Sequence, residues 1–242
     1  MSLKILGVKF DLKTETETVE LLEKWLTGSE QKLIATVNPE FLVASQSNPA
    51  FKQLLNETAL NTCDGFGIQL IGKILYKKEI PRVTGVDLTK KLLTRTDDKF
   101  KIFLLGSSAE VLKKMEHKFN SNLVGTNDGG KMLASNQLEN NQVIIEKIKL
   151  SGANTLLVAF NQVQQETWLK NNLPLMPNIK IGIGVGGTFD FLSGKINRAP
   201  SWLRRIGLEW LYRLIQEPRR VKRIWRATFV FTWLALKEKI IN

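Results

Sequence analysis

Short apolar runs alternate along the chain with stretches in which apolar residues recur every three or four positions, the rhythm of a βαβ sheet. A strand at Ile5 to Phe10 precedes an amphipathic helix over Thr18 to Thr27, marked by Val19, Leu21, Leu22 and Trp25. The run Leu33 to Val37 predicts a buried strand closed by Asn38-Pro39, and Pro39 suits the first turn of a helix continued by Phe41, Leu42, Ala44 and Ser45. A strand at Ala59 to Cys63 ends in Asp64-Gly65-Phe66-Gly67. Lys101 to Leu105 then runs into Gly106-Ser107-Ser108 and a helix from Ala109, with Ser107 and Glu110 spaced as a capping box. Further strands are predicted at Thr155 to Phe160 and Lys180 to Val185. The expected fold is α/β: a Rossmann-like, mostly parallel sheet flanked by helices.

Near Gly194 the pattern changes. Residues 1–194 read as the α/β core and 195–242 as a basic, amphipathic helical appendage, two helices separated near Glu217-Pro218. The appendage holds four of the six tryptophans, Trp202, Trp210, Trp225 and Trp233, interleaved with arginines. It carries twelve Lys and Arg against three Asp and Glu, so +9 of the net +12 lies there. Charge alone allows nucleic acid, anionic lipid or a phosphorylated ligand as partner. Aromatic-plus-basic helices commonly lie in a bilayer interface, and the apolar run Ala227 to Leu236 is too short to span about 30 Å of hydrocarbon. Monotopic attachment to an anionic membrane surface is therefore expected.

Composition narrows the chemistry. With 43% hydrophobic and 24% charged residues, the 242-residue chain is neither disordered, collagen-like nor a polytopic membrane protein. One cysteine, Cys63, excludes an internal disulfide framework, and one histidine, His117, excludes paired-histidine metal motifs. An acid or base is then expected to be a carboxylate. Cys63 reads as a small buried residue and His117 as an exposed helix position. The opening Met1 to Ile5 has no signal-peptide character, which points to the cytoplasmic side.

Ligands of open α/β sheets bind outside the carboxyl ends of the strands. Asp64, at a strand end beside glycines, is the best acid/base candidate; the same residue type also serves as an Asx turn or helix cap. Thr36 and Asn38 offer a hydroxyl and an amide to a polar ligand, or a strand residue and a helix-initiating turn. Gly106 to Ser108 can form an anion site on free backbone N–H groups, or a structural turn. Gln165 can hold a sugar hydroxyl, or pair with Glu166 in a solvated first turn. Asp190, after Gly184-Val185-Gly186-Gly187, serves function or capping. Arg213, Arg220 and Arg223 share one face if the helix persists past Pro218, where they suit a diphosphate or form a solvated or lipid-facing stripe.

Thr36-Val37-Asn38-Pro39-Glu40, Asp64-Gly65-Phe66-Gly67, Arg82-Val83-Thr84-Gly85-Val86-Asp87, Phe103 to Gly106, Gln165-Glu166 and Gly186-Gly187-Thr188-Phe189-Asp190 stand in the order found in bacterial WecG/TagA/CpsF glycosyltransferases. Arg198-Ala199-Pro200, Leu208 to Leu214 and Glu217 to Arg220 extend the resemblance over nearly the whole chain. The resemblance implies inverting, metal-independent transfer of N-acetylmannosamine or a related sugar from a UDP donor to polyprenyl-diphosphate-linked N-acetylglucosamine, feeding teichoic acid or other surface polysaccharides. It implies no cofactor, no nucleic-acid partner, a homo-oligomer in some cores, and a place on the inner face of the cell membrane.

By position, Asp64 becomes the general base, and Thr36, the second catalytic residue, holds the sugar or acceptor together with Asn38. Asn38 and Gln165 contact substrate, Arg82 and Asp87 shape the donor pocket, Gly106 and Ser107 line it, and Arg213, Arg220 and Arg223 balance diphosphate charge. One departure stands out: the family's Gly-x-Pro-Lys-Gln-Glu is Asn161-Gln162-Val163-Gln164-Gln165-Glu166 here. That change motivates an alternative, a catalytically degenerate scaffold of a polysaccharide assembly complex.

Overall fold

The computed structural model describes residues 2–119 and 121–241. Its centre is a six-stranded, all-parallel sheet in the order β4-β3-β8-β7-β5-β6. These strands are β3 (Lys32–Val37), β4 (Leu60–Cys63), β5 (Ile102–Gly106), β6 (Leu123–Asn127), β7 (Thr155–Ala159) and β8 (Ile181–Gly184). Both faces are covered, so β4, β5 and β8 are buried along their whole length. The Rossmann-like α/β expectation holds.

One face is covered by α1 (Glu15–Leu26), α5 (Gly85–Leu93), α6 (Ala109–Lys118) and α9 (Thr188–Leu192), which enclose Leu22, Leu92, Met115 and Phe189. On the other, α7 (Asn141–Leu150) and α8 (Gln164–Asn172) bury Trp168 and Ile148. Beside them α2 (Pro39–Ser47), α3 (Pro49–Glu57) and α4 (Phe66–Leu75) pack with a hairpin of β1 (Ser2–Ile5) and β2 (Val8–Asp11).

Three local expectations are corrected. The N-terminal strand is a two-stranded hairpin, because Leu6 and Gly7 both take positive φ (52° and 73°) and turn the chain tightly. Ser108, not Ser107, caps α6 by accepting from Val111 N, since Ser107 sits at φ 69° and turns its hydroxyl away. The C-terminal segment does part near Glu217-Pro218, but into more than two pieces: α10 (Ser201–Arg205) and α11 (Glu209–Gln216) before the break, and a 3₁₀ turn over Pro218–Arg220, α12 (Val221–Trp225), a π-helical turn over Arg226–Val230 and α13 (Phe231–Ile241) after it.

The last of these is no free appendage. Helix α13 lays Phe231 (1% exposed) and Ala235 (0%) into the cluster around α2, α4 and the hairpin. Its Glu238 accepts hydrogen bonds from Leu6 N (2.8 Å) and the Tyr76 hydroxyl. In contrast, Trp202, Trp225, Phe229 and Trp233 are about 60% exposed.

Candidate active site

The sheet order makes a crevice at the carboxyl ends of β3, β8 and β7, where the chain has crossed from one half of the sheet to the other. The cleft there has a volume of about 790 Å³, within the range of small-molecule sites. Thr36, Asn38, Asp64, Arg82, Ser107, Gln165, Arg213, Arg220 and Arg223 all contribute to its wall.

Asp64 follows β4 directly, and its backbone N–H continues the sheet by donating to Val37 O (2.8 Å). The side chain turns towards the N-terminus of α5, where its Oδ2 accepts from Gly85 N (2.9 Å). Protein packed around the carboxyl pushes its pKa up to about 6; burial outweighs the Gly85 hydrogen bond and the nearby Arg82 charge. Arg82 reaches this position because Val83 N donates to Cys63 O, a parallel bridge that extends the sheet edge. Cys63 is buried, and burial pushes its thiol up to about 12, so it is no nucleophile. His117 is an exposed residue of α6.

Thr36, the penultimate residue of β3, donates its hydroxyl to Gly184 O (2.9 Å), joining two strand ends beside the cleft. Asn38 uses its Oδ1 to cap α2, accepting from Glu40 N (2.9 Å) and Phe41 N (3.2 Å), which leaves its Nδ2 as the group not spent on the cap. Gln165 is 1% exposed; its Oε1 accepts from Gly186 N (2.9 Å) and its Nε2 donates to Glu166 Oε1 (2.6 Å). Ser107 donates to Asp190 Oδ1 (3.2 Å), so the hydroxyl of the Gly-Ser turn is committed to a carboxylate.

Two predicted residues stand behind the wall. Gly106 supports it: at φ 103° its Cα lies so close to Ala159 that an added Cβ would be 2.6 Å from that carbonyl oxygen. Asp87 is capped by Thr84 and bonded to Arg198 (Nη2–Oδ2 2.8 Å), and Arg198 shares Glu209 with Arg82. The Arg198 and Thr84 hydrogen bonds overcome burial and hold the Asp87 carboxyl down at about 2. This lattice ties the start of the C-terminal segment to α5 beside Asp64. Sequence reasoning gave Arg198 and Glu209 no site role; the only signal was their place in the Arg198-Ala199-Pro200 and Leu208-Glu209-Trp210 matches.

The three tail arginines do converge, though not on a continuous helix. Helix α11 stops at Gln216, Glu217 is extended (φ −131°, ψ 75°), and Pro218 opens the 3₁₀ turn. That break lets Arg213 (3.3 Å) and Arg220 (2.7 Å) meet on the Glu217 carboxylate. Arg213 also stacks 4.7 Å over Phe191. Burial and the Arg220 charge lower the Arg213 pKa, the mark of a cation short of counter-charge. Arg223 is held instead by Glu40 (2.8 Å).

Fold and site define an α/β protein with a ligand crevice at the switch point of a parallel sheet, lined by one high-pKa carboxylate and a cluster of guanidiniums. The model of the glycosyl transferase WecG/TagA/CpsF family matches residues 3–242, and the chain belongs to that family. It is a glycosyltransferase of surface-polysaccharide synthesis, a class that takes a sugar donor and a lipid-linked acceptor. Among the described residues no helix is long and apolar enough to cross a membrane.

Proposed function

We propose that the protein moves N-acetylmannosamine, or a closely related sugar, from UDP to a hydroxyl of polyprenyl-diphosphate-linked N-acetylglucosamine, inverting the anomeric centre. The acceptor oxygen forms its bond to the anomeric carbon as the carbon–oxygen bond to the β-phosphate breaks. Asp64 takes the acceptor proton, and the bond electrons leave on UDP. A base with a pKa near 6 is ionised at neutral pH yet still basic enough to receive that proton. The departing diphosphate gains negative charge, which Arg213 and Arg220 meet from fixed positions in the cleft.

The observation that carries this reading is the Asp64 carboxyl, desolvated at a strand end and set in one cleft with those arginines. In this reading residues 195–242 complete the site and dock the enzyme at an anionic membrane. The half-exposed tryptophans beside exposed Arg205, Arg219, Lys222 and Arg226 support that role. The test is UDP release with UDP-N-acetylmannosamine and a lipid-diphosphate N-acetylglucosamine analogue. Release that needs both substrates and is lost in Asp64→Asn supports the proposal. Release that persists in Asp64→Asn removes Asp64 as the base, and no release with any UDP-sugar removes the reaction.

A further inference from the structure

Behind the cleft wall lies a carboxylate that the proposed mechanism does not use. Glu166 is 0% exposed and is not part of the wall. Its Oε2 accepts from Val163 N (3.0 Å) and its Oε1 from Gln165 Nε2 (2.6 Å), and Gln165 Oε1 accepts in turn from Gly186 N (2.9 Å). Both ends of this chain are backbone N–H groups, which can only donate. Between them stand one carboxylate and one amide.

Only one assignment of donors and acceptors satisfies every link. A group that accepts at both oxygens must follow Val163 N–H, and the amide must then turn Nε2 towards Glu166 and Oε1 towards Gly186. If residue 166 were an amide, two donors would face each other somewhere along the chain, whichever way the amides of residues 165 and 166 were turned. Gly184 closes the arrangement. A Cβ there would lie 2.7 Å from Gln165 Nε2 and would also strike the Glu166 carboxylate. The amide packs directly against Gly184, and residue 165, unlike Glu166, is part of the cleft lining.

The same carboxylate holds the turn before α8. Val163 has φ 71°, a region a β-branched residue occupies only when its surroundings force it. Its N–H is the one Glu166 fixes, and Phe160, Asn161, Gln162 and Gln164 of this turn line the cleft. This is the segment that departs from the family pattern.

We infer that Glu166 is a positioning residue: without touching substrate, it fixes which way the Gln165 amide faces and so what that amide offers the ligand in the cleft. The kinetic part of the inference rests on the transfer reaction proposed above; the structural part does not.

The test compares full-length wild type, Glu166→Gln, and the exchange Gln165→Glu with Glu166→Gln. The single variant must place two donors face to face. The exchange restores a complete pattern, with the carboxylate now beside Gly186. Glu166→Gln is expected to lower Tm and to lower kcat/KM at least roughly tenfold, as for the loss of one well-made charged hydrogen bond. The exchange is expected to recover Tm but not kcat/KM, because a carboxylate replaces the amide at the cleft.

Activity within about twofold of wild type in Glu166→Gln overturns the inference. So does an exchange that recovers both quantities, which would make Glu166 merely structural, or one that leaves Tm as low as the single variant. If wild type transfers no sugar, the reaction assignment fails instead. The side-chain amide signals of Gln165 in nitrogen-15 spectra then decide: they must move in Glu166→Gln, and unchanged signals sink the inference.

Discussion

Asp64 is a carboxyl held against its own solvation, and that makes activity and stability respond to pH in opposite senses. Asp64 is raised from 3.8 to about 6, burial being the main cause. Between those limits the native state binds protons that the unfolded chain has released, so stability falls as pH rises through the window and is level above it. Asp87, depressed to about 2, acts the other way, and its contribution is lost only as pH falls below the usual carboxylate range. Tm is therefore expected to be higher near pH 5 than near pH 8, while kcat/KM falls on the acid side with a midpoint near 6 as Asp64 takes up its proton. Parallel Tm and rate profiles check this; a Tm that climbs steadily from pH 5 to 8 would contradict it.

Asp64→Asn separates the two effects in one molecule. The amide keeps an acceptor for Gly85 N–H but has no charge to desolvate. The variant is expected to lose transfer by a factor on the order of 10² or more. At the same time its Tm should rise by a few degrees, in keeping with a gain of roughly 1–2 kcal/mol. Asp64 was legible as a candidate because it stands at a strand end beside Gly65 and Gly67. Glu166 was not, because an acidic residue in a first helical turn looks solvated until the tertiary fold buries it.

Among the elements, the break between α11 and α12 decides which arginines face the ligand. Arg213 and Arg220 share one carboxylate, Glu217, so two guanidiniums have a single counter-charge between them. A diphosphate entering the cleft offers them further acceptor oxygens. Arg223 already has Glu40 and is more exposed. Arg220→Ala and Arg213→Ala are accordingly expected to weaken UDP affinity by ten- to a hundredfold, the rough range for a charged hydrogen bond, and Arg223→Ala by less. Calorimetric titration with UDP gives the ranking; an equal loss in all three would mean that only the overall charge matters. The sequence spacing of these arginines pointed to a shared helical face, and they do share a cleft. The separation near Glu217-Pro218 was legible, but not that the extended Glu217 would bring Arg213 and Arg220 onto one carboxylate, because Pro218 is as compatible with a helix start as with a break. The N-terminal hairpin was missed for a similar reason: Leu6-Gly7 gave weak turn chemistry inside an otherwise continuous apolar run. Strands β3, β5, β7 and β8 were legible because burial on both faces leaves mainly apolar runs, and the short β4 because it closes at Asp64-Gly65, whereas β6, an edge strand with Gly125, Thr126 and Asn127, carries no such signature.

At the scale of the whole molecule, the basic C-terminal segment is both part of the fold and an exposed surface, and these roles fall on different side chains. Phe231 fills a core site next to α4 and α2, so Phe231→Ala should cost about 3–5 kcal/mol, the usual range for a buried aromatic, and lower Tm by roughly 10 °C. Trp202 and Trp225 have little to lose from the fold, being 61% and 56% exposed. Replacing both by Ala is expected to leave Tm nearly unchanged while weakening sedimentation with anionic vesicles. Residual binding should fall with added salt, because the remaining attraction comes from exposed Arg and Lys screened over about 8 Å at physiological ionic strength. Kinetics with a short-chain soluble acceptor should then be preserved in the double Trp variant, since neither its folded core nor Asp64, Arg213 and Arg220 has changed. If that variant loses activity on the soluble acceptor at unchanged Tm, the tryptophans belong to the substrate site and not to a membrane contact. If vesicle binding survives intact, the exposed apolar face serves some contact other than lipid, and the basic residues alone hold the surface.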